Sequence, residues 1–310
     1  MRFHCLGVQH TVTNKEYVAC AFTQKVLKFC EMMTDRGHTL IHYGNEGADL
    51  RCTENVVVLS REEFEYKDHD HRSKLFTYDI NGPVYKTFNA RAIEEIAKRK
   101  QPGDFLLAFW GIGHQPICDA HQDMIVVEPG IGYGDMFAKY KVFESYAVYH
   151  AYLTLSKVAH CFVLPDDYER DAIIPNYFDP NDFDFCPNEK EDYFLFVGRI
   201  GVAKGLGRAI KMTKMLGARL IVAGQNAEAG FREEGFWPIP EHVTHVGYVG
   251  VEERKRLMAR AKAVICFSTF VEPFCGVHVE AMMSGTPVVT SDWGAMTEFN
   301  IHGEIGRAHV

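Results

Sequence analysis

The 310-residue chain has no apolar run long enough to cross a bilayer. Its opening, Met1-Arg-Phe-His-Cys-Leu-Gly-Val8, turns polar too soon for a secretory leader and reads as a first strand. An excess of positive charge is missing too. Lys and Arg total 33 against 41 Asp and Glu, a formal net charge of −8, which argues against a general nucleic-acid binder. The nine cysteines include no Cys-x-x-Cys and no repeating spacing. That leaves little basis for a zinc site, a redox motif or a disulfide framework, and the expectation is reduced, mostly buried thiols in the cytoplasm. A dinucleotide fingerprint is also absent. After Gly111-x-Gly113, the residues Gln115-Pro116 stand where a third glycine and a helix start belong, which weakens a nicotinamide-dependent oxidoreductase.

What is present is a rhythm of short apolar runs and helical spacing. In the first half, Met1–Val8, Thr39–Tyr43, Val56–Leu59, Asp104–Trp110, Met124–Val127 and Ala159–Val163 read as strands, with Thr23–Arg36 and Asn89–Arg99 as helices. Asp68–Ser73 is polar and histidine-rich and reads as a surface loop, its His69-x-His71 solvated rather than metal-binding. A stretch rich in Pro, Asp and Asn, from Ile174 to Asp192, lacks periodicity and reads as a linker over 175–192. The rhythm then restarts. Phe194–Gly198, Leu220–Ala223, His245–Tyr248, Val264–Phe267 and Pro287–Thr290 are expected strands; Gly207–Leu216, Val251–Ala261 and Gly276–Met283 are expected helices. Such alternation implies parallel sheets. The expected α/β architecture is two doubly wound, Rossmann-like domains facing a cleft, residues 1–174 and 193–310, with ligands at the carboxyl ends of the strands.

Two pairs of charged residues stand at suggestive spacing in the second half. Arg199 and Lys204 follow the strand Phe194–Gly198 and are interleaved with Gly198, Gly201 and Gly205. A guanidinium fork and an ammonium point charge suit a diphosphate, on which they offset developing negative charge. Two solvated surface cations are the plain alternative. Glu272 and Glu280 bracket Pro-Phe-Cys-Gly-Val-His-Val, a loop running into a helix. Backbone N–H groups near Cys275 and Gly276 point from a helix start toward an anion. Glu272 is then placed to accept bonds from sugar hydroxyls and Glu280 from a ribose diol. A helix-start acid explains Glu272 without a ligand. It does not explain Glu280, a carboxylate two turns into an apolar stretch that needs a partner.

With these residues on the page, the C-terminal half resembles the retaining glycosyltransferases of family 4, which have the GT-B fold. The matching text is Phe196-Val-Gly-Arg-Ile, Lys204-Gly-Leu, Leu220-Ile-Val-Ala-Gly224, His245-Val-Gly-Tyr-Val249, Glu272-Pro-Phe-Cys-Gly-Val-His-Val-Glu-Ala-Met282 and Ser284-Gly-Thr-Pro-Val-Val-Thr290, in order over roughly residues 174–300. The first half is similar only in outline. The resemblance implies that Arg199 and Lys204 hold a donor diphosphate, with Glu272 on the donor sugar and Glu280 on the ribose. Backbone at Gly198, Phe274, Cys275, Gly276 and Val277 would line sugar and phosphate, and Gly224 and Tyr248 would stand near the base. It further implies a nucleotide-diphosphate sugar as donor, a carbohydrate or other hydroxylated acceptor, retention through the leaving phosphate, and no metal or other cofactor. No Asp-x-Asp pair is placed for a metal.

From the first half, Gly7, His10, His114 and Glu128 are candidates for the cleft, each weighed against an ordinary loop or turn. The aromatic series Tyr140, Phe143, Tyr146, Tyr149 and Tyr152 reads first as core packing, with a peripheral membrane contact left open. Lys211, Lys214, Arg254, Lys255 and Arg256 read as exposed helix faces. The resemblance implies C-terminal helices beyond the fifth strand, so the second domain is expected to be incomplete and less stable, and residues 304–310 to be foreign to it. Three readings compete with transfer: a GT-B sugar phosphorylase, a nucleotide-sugar epimerase, and a nucleotide-sugar-binding protein without catalysis.

Overall fold

The computed structural model describes residues 1–155, 168–302 and 306–307, so the expected strand Ala159–Val163 and most of 303–310 lie outside the described residues. The chain divides into two compact units. One holds Met1–His69, Phe76–Glu144 and Tyr149–Tyr177; the other holds Asp70–Leu75, Ser145–Val148 and Phe178–Val310. The stretch expected to be a surface loop is therefore split, and residues 70–75 group with the second unit.

The first unit is built on a seven-stranded sheet. Its strands are β1 (Arg2–Leu6), β2 (Thr39–Asn45), β3 (Glu54–Leu59), β4 (Phe105–Leu107), β5 (Ile125–Ile131), β6 (Tyr140–Phe143) and β7 (Asp171–Ile173), in the order β3-β2-β1-β4-β5-β6-β7 and parallel throughout. The helices are α1 (Ala21–Asp35), α2 (Pro83–Ala97), α3 (Gln115–Asp119) and α4 (Tyr146–Leu155). Both faces of the central strands are covered. Leu6, Ile41, Phe88 and Ile117 pack in one core cluster, and Phe3, Cys5, Val26 and Phe109 in another. Burial on both faces is why these strands read as continuous apolar runs rather than alternating ones. Helix α2 begins at Pro83, six residues before the expected Asn89, because a proline at the first helical position loses no intrahelical hydrogen bond. The aromatic series divides: Phe143 and Tyr149 are buried, whereas Tyr140 and Tyr146 are exposed.

Three buried histidines of this unit are held neutral. Burial lowers His10 to about 3, His42 to about 4 and His114 to about 3. Unfolding lets each ring take up a proton near its ordinary 6.5, which the folded rings resist until far lower pH. The unfolded state then binds more protons across this window, so stability falls on acidification. From about pH 7 to about pH 6 the three together should remove about 2 kcal/mol. The urea midpoint at the two pH values measures it, and an unchanged midpoint would contradict neutral rings.

The second unit repeats the plan with a five-stranded sheet. Its strands are β8 (Phe194–Val197), β9 (Leu220–Ala223), β10 (Val243–Gly247), β11 (Ala263–Cys266) and β12 (Val288–Thr290), parallel and ordered β10-β9-β8-β11-β12. Helices α5 (Leu206–Met215), α6 (Ala227–Glu233), α7 (Val251–Arg260), α8 (Gly276–Met283) and α9 (Met296–Phe299) accompany them. Phe196, Ile210, Val222 and Phe231 fill one face; Leu195, Leu257, Val264 and Ala281 fill the other. The chain runs outward from β8 through β9 to β10, then returns to the other side of β8 as β11. Where strand order reverses, the loops after the two central strands diverge and open a crevice at their carboxyl ends. In this unit that point lies between the loops after β8 and β11.

Candidate functional site

Arg199 and Lys204 stand in the loop after β8, and Glu272 in the loop after β11. The first loop is a single turn, Val202–Lys204, closed by Gly205 in the left-handed conformation at φ +73. Two hydrogen bonds tie it to its neighbour: the Thr269 N–H donates to Ala203 O at 2.9 Å, and Thr269 Oγ1 to Val202 O at 3.2 Å. A Cβ on Gly205 would lie 2.0 Å from Phe267 O, so only glycine lets the two loops approach this closely. Gly224, after β9, is equally confined, with a virtual Cβ 1.8 Å from Gly198 O.

The approach brings Lys204 Nζ to 2.6 Å from Glu272 Oε1, with the Lys204 ammonium also 4.8 Å from the Phe270 ring centroid. Ser268 Oγ donates to the same carboxylate oxygen at 2.5 Å. Glu272 is 4% exposed and Ser268 3%, so the acceptor end of this charge-assisted cluster is nearly dry, whereas Lys204 is partly exposed. Oε2 of Glu272 carries neither bond. Arg199 differs: it is exposed, with no acidic partner among the described residues.

Helix α8 begins beside Glu272. Its first turn has no acidic residue, and its N-cap, Cys275, supplies no side-chain cap. Amides at a helix start lack intrahelical acceptors and carry the positive end of the macrodipole. Phe274 is 3% exposed and pinned by the rings of Phe178, His278 and Phe299, with centroids 6.0, 5.8 and 4.8 Å away. Any contact of Phe274 with a ligand is thus through its backbone. Val277 packs against the core.

Glu280 has the partner its buried position requires. Arg254, on α7, donates to Glu280 Oε2. The reading of Arg254 as an exposed helix face is therefore corrected: it is partly buried and bridges α7 to α8. Its neighbour Arg256 does lie on the exposed face, paired with Glu253 at 2.7 Å. Gly224 donates its N–H to Gly247 O at 2.8 Å, and Tyr248 follows directly, its ring 6.3 Å from that of His71. The structure thus gathers Gly198, Arg199, Lys204, Gly224, Tyr248, Glu272, Cys275 and Gly276 at the carboxyl edge of one sheet.

The first-unit candidates are occupied within their own unit. His114 is fully buried; its Nδ1 accepts from the Trp110 N–H at 3.2 Å and its Nε2 donates to Gly7 O at 3.0 Å. With both ring nitrogens used, His114 has none left for a donor hydroxyl, and its role is to join the loops after β1 and β4. Glu128, fully buried, accepts from the Phe137 and Ala138 N–H groups at 2.9 and 2.8 Å and from Tyr133 Oη at 3.2 Å. Burial raises its pKa overall. It is a clamp for the following loop. Gly7 is confined by the His42 ring and Tyr43 O. His10 is 2% exposed, its Nδ1 2.7 Å from Tyr85 Oη, its ring stacked on Tyr78 at 4.4 Å. No group of three His, Cys, Asp or Glu able to hold a metal occurs among the described residues, and no described helix is long and apolar enough to cross a membrane.

Comparison with known proteins bears on the same stretch. Residues 178–309 match the family model of glycosyl transferases group 1. An uncharacterized glycosyltransferase of Methanocaldococcus jannaschii is 34% identical over 120 residues, 37% of this chain and 30% of that protein. A glycogen synthase of Mycobacterium tuberculosis is 33% identical over 125 residues, 36% of this chain and 28% of that protein. The matched stretch thus spans about a third of each relative's length. Among solved structures, Anabaena Alr3699/HepE in complex with UDP and glucose superposes with a TM-score of 0.67 at 16% identity, covering 99% of this chain and 85% of that one. AviGT4, a glycosyltransferase involved in avilamycin A biosynthesis, gives 0.65 at 19%, covering 96% and 80%. The chain has the GT-B fold of two Rossmann-like units, and its residues 178–309 are similar to the glycosyl transferases group 1 family.

Proposed function

We propose that the chain is a retaining glycosyltransferase of family 4 that moves a sugar from a nucleotide-diphosphate sugar to a hydroxylated acceptor in the cytoplasm, without a metal. The Lys204–Glu272 pair at the point where strand order reverses carries this reading. Glu272 holds the ammonium in place before substrate arrives, so little reorganisation is needed as the diphosphate leaves. Arg199, unpaired and exposed, adds a guanidinium fork to the same group. The amides at the start of α8 supply a third positive element. Oε2 of Glu272 accepts a hydroxyl of the transferred sugar, and Glu280, oriented by Arg254, accepts from the ribose. Retention follows from attack on the face the diphosphate leaves, with a phosphate oxygen taking the acceptor proton and no protein nucleophile.

UDP is the first probe to try, because the superposing Anabaena protein was crystallised with UDP and with UDP-glucose. Arg199→Ala should weaken UDP binding by roughly tenfold, the scale of one hydrogen bond to a charged group. Its thermal midpoint should not move, since an exposed cation contributes little to stability. Calorimetric titration and a melting curve measure both. Equal affinity in the variant would remove Arg199 from the site. Binding without release of UDP from any nucleotide sugar, with or without a chelator, would favour the non-catalytic reading.

A further inference from the structure

In the first unit, strand order reverses between β1 and β4. The chain runs from β1 outward through β2 to β3 and returns to the other side of β1 as β4. Loops that diverge at such a point open a crevice at the carboxyl ends of the strands. An aromatic cluster stands there. His10 comes from the loop after β1, Trp110 from the loop after β4, Tyr85 from the first turn of α2, and Phe76 and Tyr78 from the chain between β3 and α2. The Trp110 and Phe76 rings meet His10 edge-on, with centroids 5.1 and 5.2 Å away. Tyr78 lies flat on His10, its ring tilted by 12°, and meets Trp110 edge-on at 5.2 Å. Tyr85 is fully buried, whereas Tyr78 is 42% exposed and Trp110 partly exposed. A core cluster would bury all its rings; this one leaves aromatic surface open at the carboxyl end of the sheet.

The polar atoms of the cluster fix the position of one hydrogen. The Trp110 indole N–H can only donate, and it donates to Tyr85 Oη at 3.1 Å. Tyr85 Oη lies 2.7 Å from His10 Nδ1 and has no other acceptor among the described residues, so its own hydrogen goes to that nitrogen. Burial holds the His10 ring neutral. A neutral imidazole that accepts at Nδ1 carries its hydrogen on Nε2. That Nε2–H has no partner among the described residues and is not sealed from solvent, although His10 as a whole is only 2% exposed. A donor on so buried a residue is normally paired. The titratable groups that act on His10 are two other histidines, His114 and His69, so no lysine, arginine or carboxylate gives this point a formal charge.

We propose that this cluster is a binding site for a neutral pyranose sugar, whose apolar face packs on the open surface of Tyr78 and Trp110 and one of whose oxygens accepts from His10 Nε2–H. Reading that sugar as the acceptor rests on the function proposed above; the binding itself does not. A pyranose suits both parts of the site. The C–H groups on one face of its ring pack on aromatic carbon, and the oxygens around its rim meet an oriented donor. An anion does not suit it, because neutral His10 offers no charge to offset the cost of desolvation. A hydrocarbon chain would leave the Nε2–H unpaired.

The test titrates methyl α-D-glucopyranoside, methyl α-D-galactopyranoside and methyl α-D-mannopyranoside separately into the full chain without nucleotide, with phenol as the control for a flat aromatic ligand. Saturation-transfer NMR reads binding. At least one glycoside should bind saturably with a Kd in the millimolar range. Tyr78→Ala should weaken it by about fivefold or more, and Tyr78→Phe, which keeps the ring, should stay within about twofold of wild type. An exposed tyrosine leaves the fold intact, which a melting curve checks. His10→Phe keeps a ring but removes the donor and should also cost about fivefold, part of which His10→Gln should restore through its own N–H. Absence of binding by all three glycosides overturns the proposal, as does a folded Tyr78→Ala chain that binds as the wild type does. Tighter binding of phenol than of every glycoside overturns the sugar assignment. A chain that binds a glycoside but not UDP would refute the transferase reading and leave the sugar site standing; a chain that binds UDP but no glycoside would do the reverse.

Discussion

Replacing Lys204 with alanine should lower nucleotide-sugar turnover by about 10²–10³-fold, the effect of removing one preorganised charge aimed at a leaving group. The expectation comes from where the ammonium sits. Its 2.6 Å contact with Glu272 Oε1 fixes it at the crevice, with the carboxylate end of the pair nearly buried and the lysine partly open to solvent. The loss should fall mainly on kcat, because the charge that Lys204 meets grows as the glycosidic bond breaks. Glu272 also loses its main counter-charge in this variant and keeps only the Ser268 hydroxyl, so a stability loss of about 1–3 kcal/mol should accompany the rate loss. Rates are therefore measured well below the variant's own melting range. Turnover within about threefold of wild type in the folded variant would take Lys204 out of the chemistry.

Gly205→Ala is the second large effect, and it strikes the fold first. The added methyl would meet the Phe267 carbonyl at 2.0 Å, and the residue would carry a side chain at φ +73. Backbone on both sides leaves no flexible end to yield. Overpacking of this kind costs about 1–3 kcal/mol, and the left-handed conformation adds about 1 kcal/mol for a residue with a Cβ. Urea unfolding should show a midpoint lowered accordingly, and any folded fraction should turn over donor poorly, because the loop that clashes also carries Lys204. An unchanged midpoint would mean that the loops after β8 and β11 separate at little cost, contrary to the Thr269 bonds that join them.

The legible parts of the site were those fixed by local chain geometry. Arg199 and Lys204 follow a strand closely, and Glu272 and Glu280 flank a helix start, so spacing alone put them at strand ends. What pairs with what was not legible. Arg254 belongs to a helix whose exposed face carries Arg256, and only the packing of α7 on α8 turns one arginine inward. His114 was placed correctly after a strand, but the loops after β1 and β4 close on its ring, which no spacing announces. The short strands β6 and β7 have too few residues to show a period, whereas the early start of α2 is signalled by Pro83.

The Lys204–Glu272 contact spans 68 residues of chain, and it depends on β8 lying beside β11. Such a pairing is slow to form, because a long loop must close before any contact rewards it. A chain emerging from synthesis therefore has β8, β9 and β10 before it has a donor site at all. On the proposed reading, a ligand meets only the finished sheet. On that reading, a nucleotide bound there stabilises the folded chain by mass action, and the melting temperature should rise with nucleotide concentration.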